Sequence, residues 1–352
     1  MTDEKPIKTK PLDSVKTLRL TSPDDYTQAG IGDDEKETFE VAQVELRRLS
    51  PPINLNSIIG AGGLSLVTKA TTRGIVYGNL DLEAECAVKV PLLKLVRGGD
   101  DRINKICRKL INDEGIHCLQ TYIRLIEMGK GFERNLVRCH KLWSYDVSAK
   151  TMPYIVFEYV NGPNLYHYKR LSFEHIARIG VITCEILGAV HSIGILHTDI
   201  KPSNILIPKG RIRSMKLADF GLSRGMYTPS PGEELMAVSF GFAAPEQIIT
   251  HGKVDVFSDI YSLGATLYFM VTRNLLYQEA DGRALNKIGK PLPKPKRIGD
   301  IRPDTPPDLI GIIERMIQPD PAKRYHGVDE IKCDLLAAFP KLKRNYDSTG
   351  RY

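Results

Sequence analysis

The stretch that decides the fold is Ile195-Leu-His-Thr-Asp-Ile-Lys-Pro-Ser-Asn-Ile-Leu206, followed by Ala218-Asp-Phe-Gly221. Its charged and polar members are His197, Asp199, Lys201, Asn204 and Asp219. Short apolar runs on either side predict strands, so the polar side chains are expected on loops at strand ends. An acceptor-orienting carboxylate, a cation and oxygen ligands for a metal ion are the groups that phosphoryl transfer requires. The stretch therefore predicts a phosphoryl-transfer site on a rigid base.

This stretch resembles the catalytic loop and the Asp-Phe-Gly segment of eukaryotic-type protein kinases, and the C-terminal part resembles the bacterial members. The loop reads His197-Thr-Asp199 where most of the family has His-Arg-Asp. Lys201, two residues after the loop aspartate, is the serine/threonine form of the motif. The resemblance implies an α+β, bilobal protein kinase fold: a small β-rich lobe with one major helix, a larger and mainly helical lobe, and ATP between them.

A glycine-rich segment lies upstream, Ile59-Gly-Ala-Gly-Gly-Leu-Ser-Leu-Val67. Glycines let the backbone turn tightly and bring amide N–H groups near phosphate oxygens, although such runs also mark ordinary hairpins. Ser65 stands where the kinase family has its third glycine. The segment predicts a phosphate-binding hairpin that departs from the family pattern at this position.

An ion pair is predicted between the next strand and the helix that follows it. Lys89 lies inside the apolar run Glu85–Val90, where a lysine must either reach solvent or find an anion. Residues 102–119 have helical periodicity, and Glu114 falls on the apolar stripe of that helix. A carboxylate directed at a core needs a cation, and Lys89 is the predicted one.

Two further segments match the family in order. The segment Tyr154–Gly162 resembles the hinge between the lobes, with Phe157 behind the adenine pocket. Ala244-Pro245-Glu246 resembles the end of an activation loop, with Arg324 in the position of its partner. The matches run from Ile59 to Arg324, about three-quarters of the chain.

The resemblance assigns roles residue by residue. It implies that Asp199 orients the acceptor hydroxyl, that Lys201 neutralises the moving phosphate, and that Ser239 contacts both. It implies Asn204 and Asp219 as metal ligands, and ATP with Mg²⁺, or alternatively Mn²⁺, as cofactors. The nucleotide-binding positions that it implies are Ile59, Gly60, Ala61, Gly62, Gly63, Ser65, Val67, Ala87, Lys89, Glu114, Glu158, Val160 and Leu206.

The predicted function is that of an ATP-dependent serine/threonine protein kinase, a transferase that phosphorylates protein substrates and itself. Two alternatives share parts of the pattern: a catalytically weak pseudokinase scaffold and a small-molecule kinase. The first usually lacks one of the key charged residues, and the second generally lacks the Ala-Pro-Glu segment with its arginine. No nucleic-acid-binding motif or platform of aromatic and basic residues is visible, so no nucleic-acid partner is expected.

Composition sets the domain prediction. The chain has 352 residues and a net charge of +7, yet residues 1–50 carry 8 basic and 11 acidic side chains. We expect a polar, flexible N-terminal extension over 1–50, a kinase domain over 51–340 with lobes 51–160 and 161–340, and a basic tail over 341–352. The sequence has no apolar run of membrane-spanning length and no signal peptide, which predicts a soluble, cytoplasmic protein.

Overall fold

The structure is a computed structural model that describes residues 33–49, 52–61, 65–74, 83–92, 101–129, 131–147, 150–220, 224–225, 239, 241–248, 254–278 and 292–349. These residues divide into two compact units. The first unit contains the described residues from 33 to 123 and from 137 to 160. The second contains those from 124 to 136 and from 161 onward.

The first unit is built on a five-stranded antiparallel sheet with the order β1-β2-β3-β5-β4. Its strands are β1 (Ile53–Ala61), β2 (Ser65–Arg73), β3 (Glu83–Pro91), β4 (Cys139–Val147) and β5 (Lys150–Glu158). Successive side chains of a strand point to opposite faces, and in β3 Cys86, Val88 and Val90 are fully buried on one face. Lys89 therefore lies on the other face of the sheet.

A helix before the first strand, α1 (Asp33–Arg47), packs against the sheet. The structure differs here from the flexible extension expected over 1–50. Ala42 and Leu46 are buried in the same core cluster as β1, and Phe39 packs against it. These positions fall on one helical face, but acidic and polar residues surround them in the sequence. The apolar pattern is therefore weak, and the sequence predicted a flexible tail. The domain limits at 51 and 340 stay predictions.

The long helix α2 (Asp101–Glu127) contains the predicted helix 102–119 and continues two turns beyond it. Its buried positions Ile111, Glu114, Cys118, Thr121 and Leu125 recur at the spacing of one helical face. Glu114 thus occupies a core position, as the periodicity predicted.

The second unit is mainly helical. Its helices are α3 (Phe173–Ser192), α4 (Pro245–Ile248), α5 (Val256–Thr272), α6 (Ile298–Ile301), α7 (Pro307–Met316), α8 (Val328–Ala338) and α9 (Pro340–Thr349). Short strands β6 (Ile195–Leu196) and β9 (Arg224–Gly225) pair with each other, and so do β7 (Ile205–Leu206) and β8 (Lys216–Leu217). The α+β class predicted from the sequence is confirmed.

Helix α3 leads directly into the segment that the sequence singled out. It ends before Gly194, which has φ 75° and supplies the C-terminal stop. Helix α5 packs against α3 and is buried on nearly every face, which makes it a fixed support. Among the helices that the structure describes, none combines the length and the apolarity needed to cross a membrane.

Candidate active site

The loop between β6 and β7 gathers the predicted catalytic side chains around Asp199. Lys201 Nζ donates to Asp199 Oδ2 at 2.7 Å, and Ser239 Oγ donates to Asp199 Oδ1 at 2.9 Å. Lys201 Nζ also donates to Ser239 Oγ at 2.8 Å, which closes a three-residue ring. Both carboxylate oxygens are therefore held in fixed directions by charged or hydroxyl donors.

Asn204 completes the network from the other end of the loop. Its Nδ2 donates to the backbone oxygen of Asp199 at 2.9 Å and to Oδ2 at 3.0 Å. Because the amide nitrogen is engaged in this way, the amide oxygen points away from Asp199. A hydroxyl approaches that oxygen only loosely, with Ser203 Oγ at 3.5 Å.

The predicted metal ligands belong to neighbouring chain segments. The backbone N–H of Ala218 donates to the backbone oxygen of Asn204 at 2.8 Å. Asp219 follows Ala218 directly, so this bond holds its backbone near Asn204. Asp219 has φ 68°, a left-handed conformation that is uncommon outside glycine. An amide oxygen and a carboxylate suit Mg²⁺, which takes few protein ligands and completes its shell with water and phosphate oxygens. The described residues contain no cluster of three or more His, Cys, Asp or Glu that could hold a metal ion.

A buried carboxylate on α5 anchors the loop from below. Asp259 accepts the backbone N–H groups of His197 at 2.9 Å and of Thr198 at 2.7 Å, and His191 Nε2 lies 2.8 Å away. Burial alone would raise the pKa of Asp259, but the contacts with His191 and His197 outweigh burial and hold it below its usual value. Asp259 lies in the first turn of α5, where an aspartate can either cap the helix or anchor a neighbouring loop. The cap of α5 is instead Asp255, and Asp259 is the anchor.

His197 has a structural position within the loop. Its ring is fully buried, lies 4.6 Å from the Phe220 ring, and its Nδ1 faces the backbone N–H of Asp199 at 3.3 Å. Burial lowers the pKa of His197 despite the nearby carboxylates, which favours the neutral imidazole. The histidine therefore supports the backbone of Asp199.

Two links to the loop were not predicted. Gln247, directly after Ala244-Pro245-Glu246, donates from Nε2 to the backbone oxygen of Thr198 at 2.7 Å. His191, at the end of α3, reaches Asp259. Neither shows a sequence signal, because a single glutamine or histidine in a helix has many ordinary uses.

The predicted pair of Glu246 and Arg324 is present in the second unit. Arg324 Nη1 and Nη2 donate to Glu246 Oε1 at 2.7 Å and Oε2 at 2.9 Å, and its side chain is completely buried. The remaining guanidinium donors bind backbone oxygens, including that of Gln318 at 2.7 Å. A fully satisfied fork of this kind fixes the end of the segment that carries Ser239.

In the first unit, Lys89 and Glu114 form the predicted ion pair. Lys89 Nζ lies 2.6 Å from Glu114 Oε2, and the two side chains are only 12% and 3% exposed. The pair joins β3 to α2. Lys89 lies on the same face of β3 as Ala87, another predicted nucleotide position.

The other nucleotide positions are distributed over both units. Ile59, Gly60 and Ala61 lie in β1, and Ser65 and Val67 in β2, with Gly60 paired to Val67. Gly62 and Gly63 lie outside the described residues. Glu158 ends β5 and Val160 follows it, while Leu206 belongs to β7 of the second unit. The backbone N–H of Glu158 donates to the backbone oxygen of Arg138 at 2.8 Å, so this N–H already has a partner within the first unit.

Comparison with known proteins gives a consistent result. A family model described as a protein kinase domain matches residues 100–334. The chain is 31% identical to the serine/threonine-protein kinase PknB of Mycolicibacterium smegmatis and 27% identical to the probable serine/threonine-protein kinase PknB of Corynebacterium glutamicum. These alignments cover 82% and 83% of this chain but 43% and 42% of the two relatives. The chain thus spans about two-fifths of the length of these relatives.

Proposed function

Because the chain belongs to the protein kinase family, in its bacterial serine/threonine form, we propose that it transfers the γ-phosphoryl group of ATP to serine and threonine hydroxyls of proteins, including its own. The bilobal protein kinase fold follows from that membership. The observation that carries the proposal is the closed network of Asp199, Lys201, Ser239 and Asn204.

Asp199 is the group that receives or orients the acceptor hydroxyl proton. It keeps 9% exposure, so an acceptor can reach it, and its donors hold the carboxylate in one orientation. Lys201 stabilises charge on the phosphoryl group in transit, since its ammonium group stands beside the same carboxylate. Ser239, bonded to both, positions them for a hydroxyl acceptor.

Metal binding falls to Asn204 and Asp219, with Mg²⁺ as the ion and Mn²⁺ as an alternative. When bound, the ion neutralises and orients the phosphate oxygens of ATP. Lys89, held by Glu114, supplies a cation for the same phosphates, and the glycine-rich segment supplies backbone N–H groups. Protein substrates and nucleotide are the partners that this chemistry requires.

The alternatives receive less support. A scaffold without catalysis usually lacks one of the residues at the positions of Lys89, Asp199 and Asp219, and this chain has all three. A small-molecule kinase generally lacks the buried fork between Glu246 and Arg324, which here fixes the segment leading from Ser239.

The proposal is tested by activity. Purified protein with Mg-ATP and casein as a generic acceptor is expected to yield phosphoserine and phosphothreonine. Asp199→Asn is expected to lower turnover at least 1,000-fold, in keeping with loss of a catalytic base, while ATP affinity changes little. Asp304→Asn, a surface carboxylate in the same unit, serves as the matched control. Equal inactivity of wild type and Asp199→Asn, with both folded, would show that the chain does not catalyse this reaction.

A further inference from the structure

Gln247, the third residue of the short helix α4, has no role in the chemistry proposed above. Its Oε1 accepts the backbone N–H of Ala244 at 2.9 Å, and the hydroxyl of Ser262 donates to the same oxygen at 3.4 Å. Its Nε2 donates to the backbone oxygen of Thr198 at 2.7 Å. A glutamine at this helix position commonly accepts the N–H of the residue before the helix. The bond to Thr198 is additional to that cap.

The partners of the Gln247 side chain determine which end of its amide lies where. Ala244 and Ser262 approach as donors, so the oxygen lies on their side, whereas the Thr198 carbonyl is an acceptor and requires the nitrogen. Glutamate at neutral pH offers only acceptors, and methionine offers no donor. Both sets of partners are therefore satisfied by glutamine and not by the side chains nearest to it in shape.

The peptide group between Thr198 and Asp199 is held at both of its polar atoms. Its carbonyl oxygen accepts from Gln247, and its N–H, which belongs to Asp199, faces His197 Nδ1 at 3.3 Å. Because a peptide group is planar, fixing these two atoms fixes the plane and the Cα of Asp199 with it. The direction of the Asp199 carboxylate therefore depends on Gln247 through the backbone.

Thr198 is the point of the loop where such a restraint is most needed. Its φ of 65° is a conformation that residues other than glycine rarely adopt and that persists only where the surroundings hold it. Asp259 holds the N–H of Thr198, on the far side from Asp199, while Gln247 holds the carbonyl oxygen on the near side. Without Gln247, rotation about ψ of Thr198 would turn the peptide plane that leads to Asp199.

Gln247 also belongs to the segment that carries Ser239. Ser239 Oγ donates to Asp199 Oδ1 at 2.9 Å, and the backbone oxygen of Ser239 accepts the N–H groups of Phe242 at 2.8 Å and Ala243 at 3.0 Å. The segment thus contacts the catalytic loop twice, at a carboxylate through Ser239 and at the backbone through Gln247. Both contacts act on Asp199.

We propose that Gln247 is a positioning residue for phosphoryl transfer, which sets the peptide plane of Asp199 and makes the orientation of that carboxylate depend on the segment carrying Ser239. The inference rests on the proposed kinase function, in which Asp199 acts on the acceptor hydroxyl. Within the described residues, the bonds of Gln247 reach no predicted nucleotide position. Its loss is therefore expected to lower kcat and to leave the KM for ATP unchanged.

Substitutions of similar shape test the two ends of the amide. Gln247→Met removes donor and acceptor, and Gln247→Glu keeps the acceptor but loses the donor at neutral pH. With casein at pH 8, each is expected to lower kcat at least tenfold, with the KM for ATP within twofold of wild type. Gln120→Met, the same change at an exposed glutamine of α2, is expected to keep kcat within twofold. A folded Gln247→Met with kcat within twofold of wild type would overturn the proposal.

A pH profile separates positioning from a general loss of packing. The protonated carboxyl of Gln247→Glu can again donate to the Thr198 oxygen, so its kcat relative to wild type is expected to rise at least threefold from pH 8 to pH 5.5. The charged groups bonded around the loop are Asp199 with Lys201 and Asp259 with His191, and they titrate in both proteins, so the ratio largely removes them. Gln247→Met is expected to show a constant ratio. Identical profiles of the two variants would contradict the proposal.

Amide hydrogen exchange supplies a measurement that requires no catalysis. Exchange over residues 197–201 is expected to be at least tenfold faster in Gln247→Met than in wild type, with less than twofold change in the middle of α5. Unchanged exchange over 197–201 would overturn the proposal. Faster exchange in the variant beside an inert wild type would support the backbone positioning and contradict only the proposed kinase function.

Discussion

The carboxylate of Asp259 accepts the backbone N–H of Thr198 at 2.7 Å, and Thr198 has φ 65°. A β-branched residue in the left-handed region is strained, by roughly 1–3 kcal/mol, and persists only where its surroundings hold it. Asp259 holds it from one side and Gln247 from the other, through the Thr198 carbonyl oxygen. The strain lies one residue before Asp199, so the anchor sets the direction in which that carboxylate points.

The first prediction concerns this anchor. Asp259→Ala removes a buried acceptor from two backbone N–H groups and from His191, so the free energy of unfolding is expected to fall by about 3 kcal/mol. Turnover is expected to fall at least tenfold in the folded fraction, because Thr198 can relax. Urea denaturation and initial rates measure the two effects.

The control for this prediction is Asp255→Ala, which removes the N-cap of the same helix. That change is expected to lower the free energy of unfolding by about 1 kcal/mol and to leave turnover nearly unchanged. If both variants lose stability without any difference in turnover, Asp259 has no specific role in the loop.

Part of the candidate site was predictable because charged residues interrupt apolar patterns, and the rest followed from the family resemblance. Glu114 interrupts an apolar stripe and Lys89 interrupts an apolar strand, so each needs a buried partner, and they form one pair. Glu246 and Arg324 were predicted from the family pattern, and the structure joins them. Such mismatches are visible in a sequence because burial of a charge is costly.

What could not be predicted depends on tertiary contacts that leave no local pattern. The stripe of α1, with Ala42 and Leu46, is hidden among polar residues and makes sense only beside β1. The φ of Thr198 follows from Asp259, which lies 61 residues further along the chain. A cavity between α2 and the β4–β5 hairpin, lined by Leu142 and Trp143 among others, depends on the pairing of β4 with β5.

Stability is predicted to fall below about pH 6.5. Burial lowers the pKa of His197 in the folded state, so the unfolded chain binds more protons in this range, and the free energy of unfolding decreases as the pH falls. The slope from one such proton approaches about 1.4 kcal/mol per pH unit. Denaturation between pH 5 and 8 measures it, and His197→Gln is expected to be less pH-dependent.

His140 contributes in the same direction, since burial lowers its pKa as well. The slope in His197→Gln is therefore expected to decrease but not to vanish. An NMR titration gives an independent reading: the His197 ring of the folded wild type should take up its proton at a lower pH than an ordinary histidine. A ring that protonates above pH 6.5 would contradict the prediction.

Replacing one member of the ion pair in the first unit is predicted to lower the free energy of unfolding more than replacing both members. Lys89→Met or Glu114→Gln alone leaves one buried polar group without its partner, and each is expected to lower the free energy of unfolding by about 3 kcal/mol. The double variant Lys89→Met/Glu114→Leu is expected to recover at least half of that loss while ATP binding stays weak. A double variant with additive losses would show that the two residues do not act as a pair.

Activity is predicted to depend little on phosphorylation of the activation loop. In the common form of the family, an arginine before the catalytic aspartate pairs with a loop phosphate, but here that position is Thr198, which cannot form a charge-assisted pair. The candidate loop sites, Ser223, Thr228 and Ser230, lie outside the described residues. Their combined replacement by Ala is expected to leave most activity in a phosphate-transfer assay, and a hundredfold loss would contradict this.

The last prediction concerns selection of arginine before the acceptor residue. Kinases with that preference usually place carboxylates after the hinge and directly before the metal-binding asparagine, where this chain has Asn164 and Ser203. Asn164 is only 2% exposed, its Oδ1 accepts the backbone N–H of Tyr166 at 2.9 Å, and its neutral amide cannot form an ion pair with a guanidinium. An arginine there would lose hydration without gaining an ion pair.

A positional peptide library is therefore expected to show less than threefold selection for arginine two or three residues before the phosphorylated hydroxyl. Ser203→Glu restores one carboxylate and is expected to raise that selection. Tenfold selection by the wild type would show that carboxylates elsewhere in the chain provide the contact.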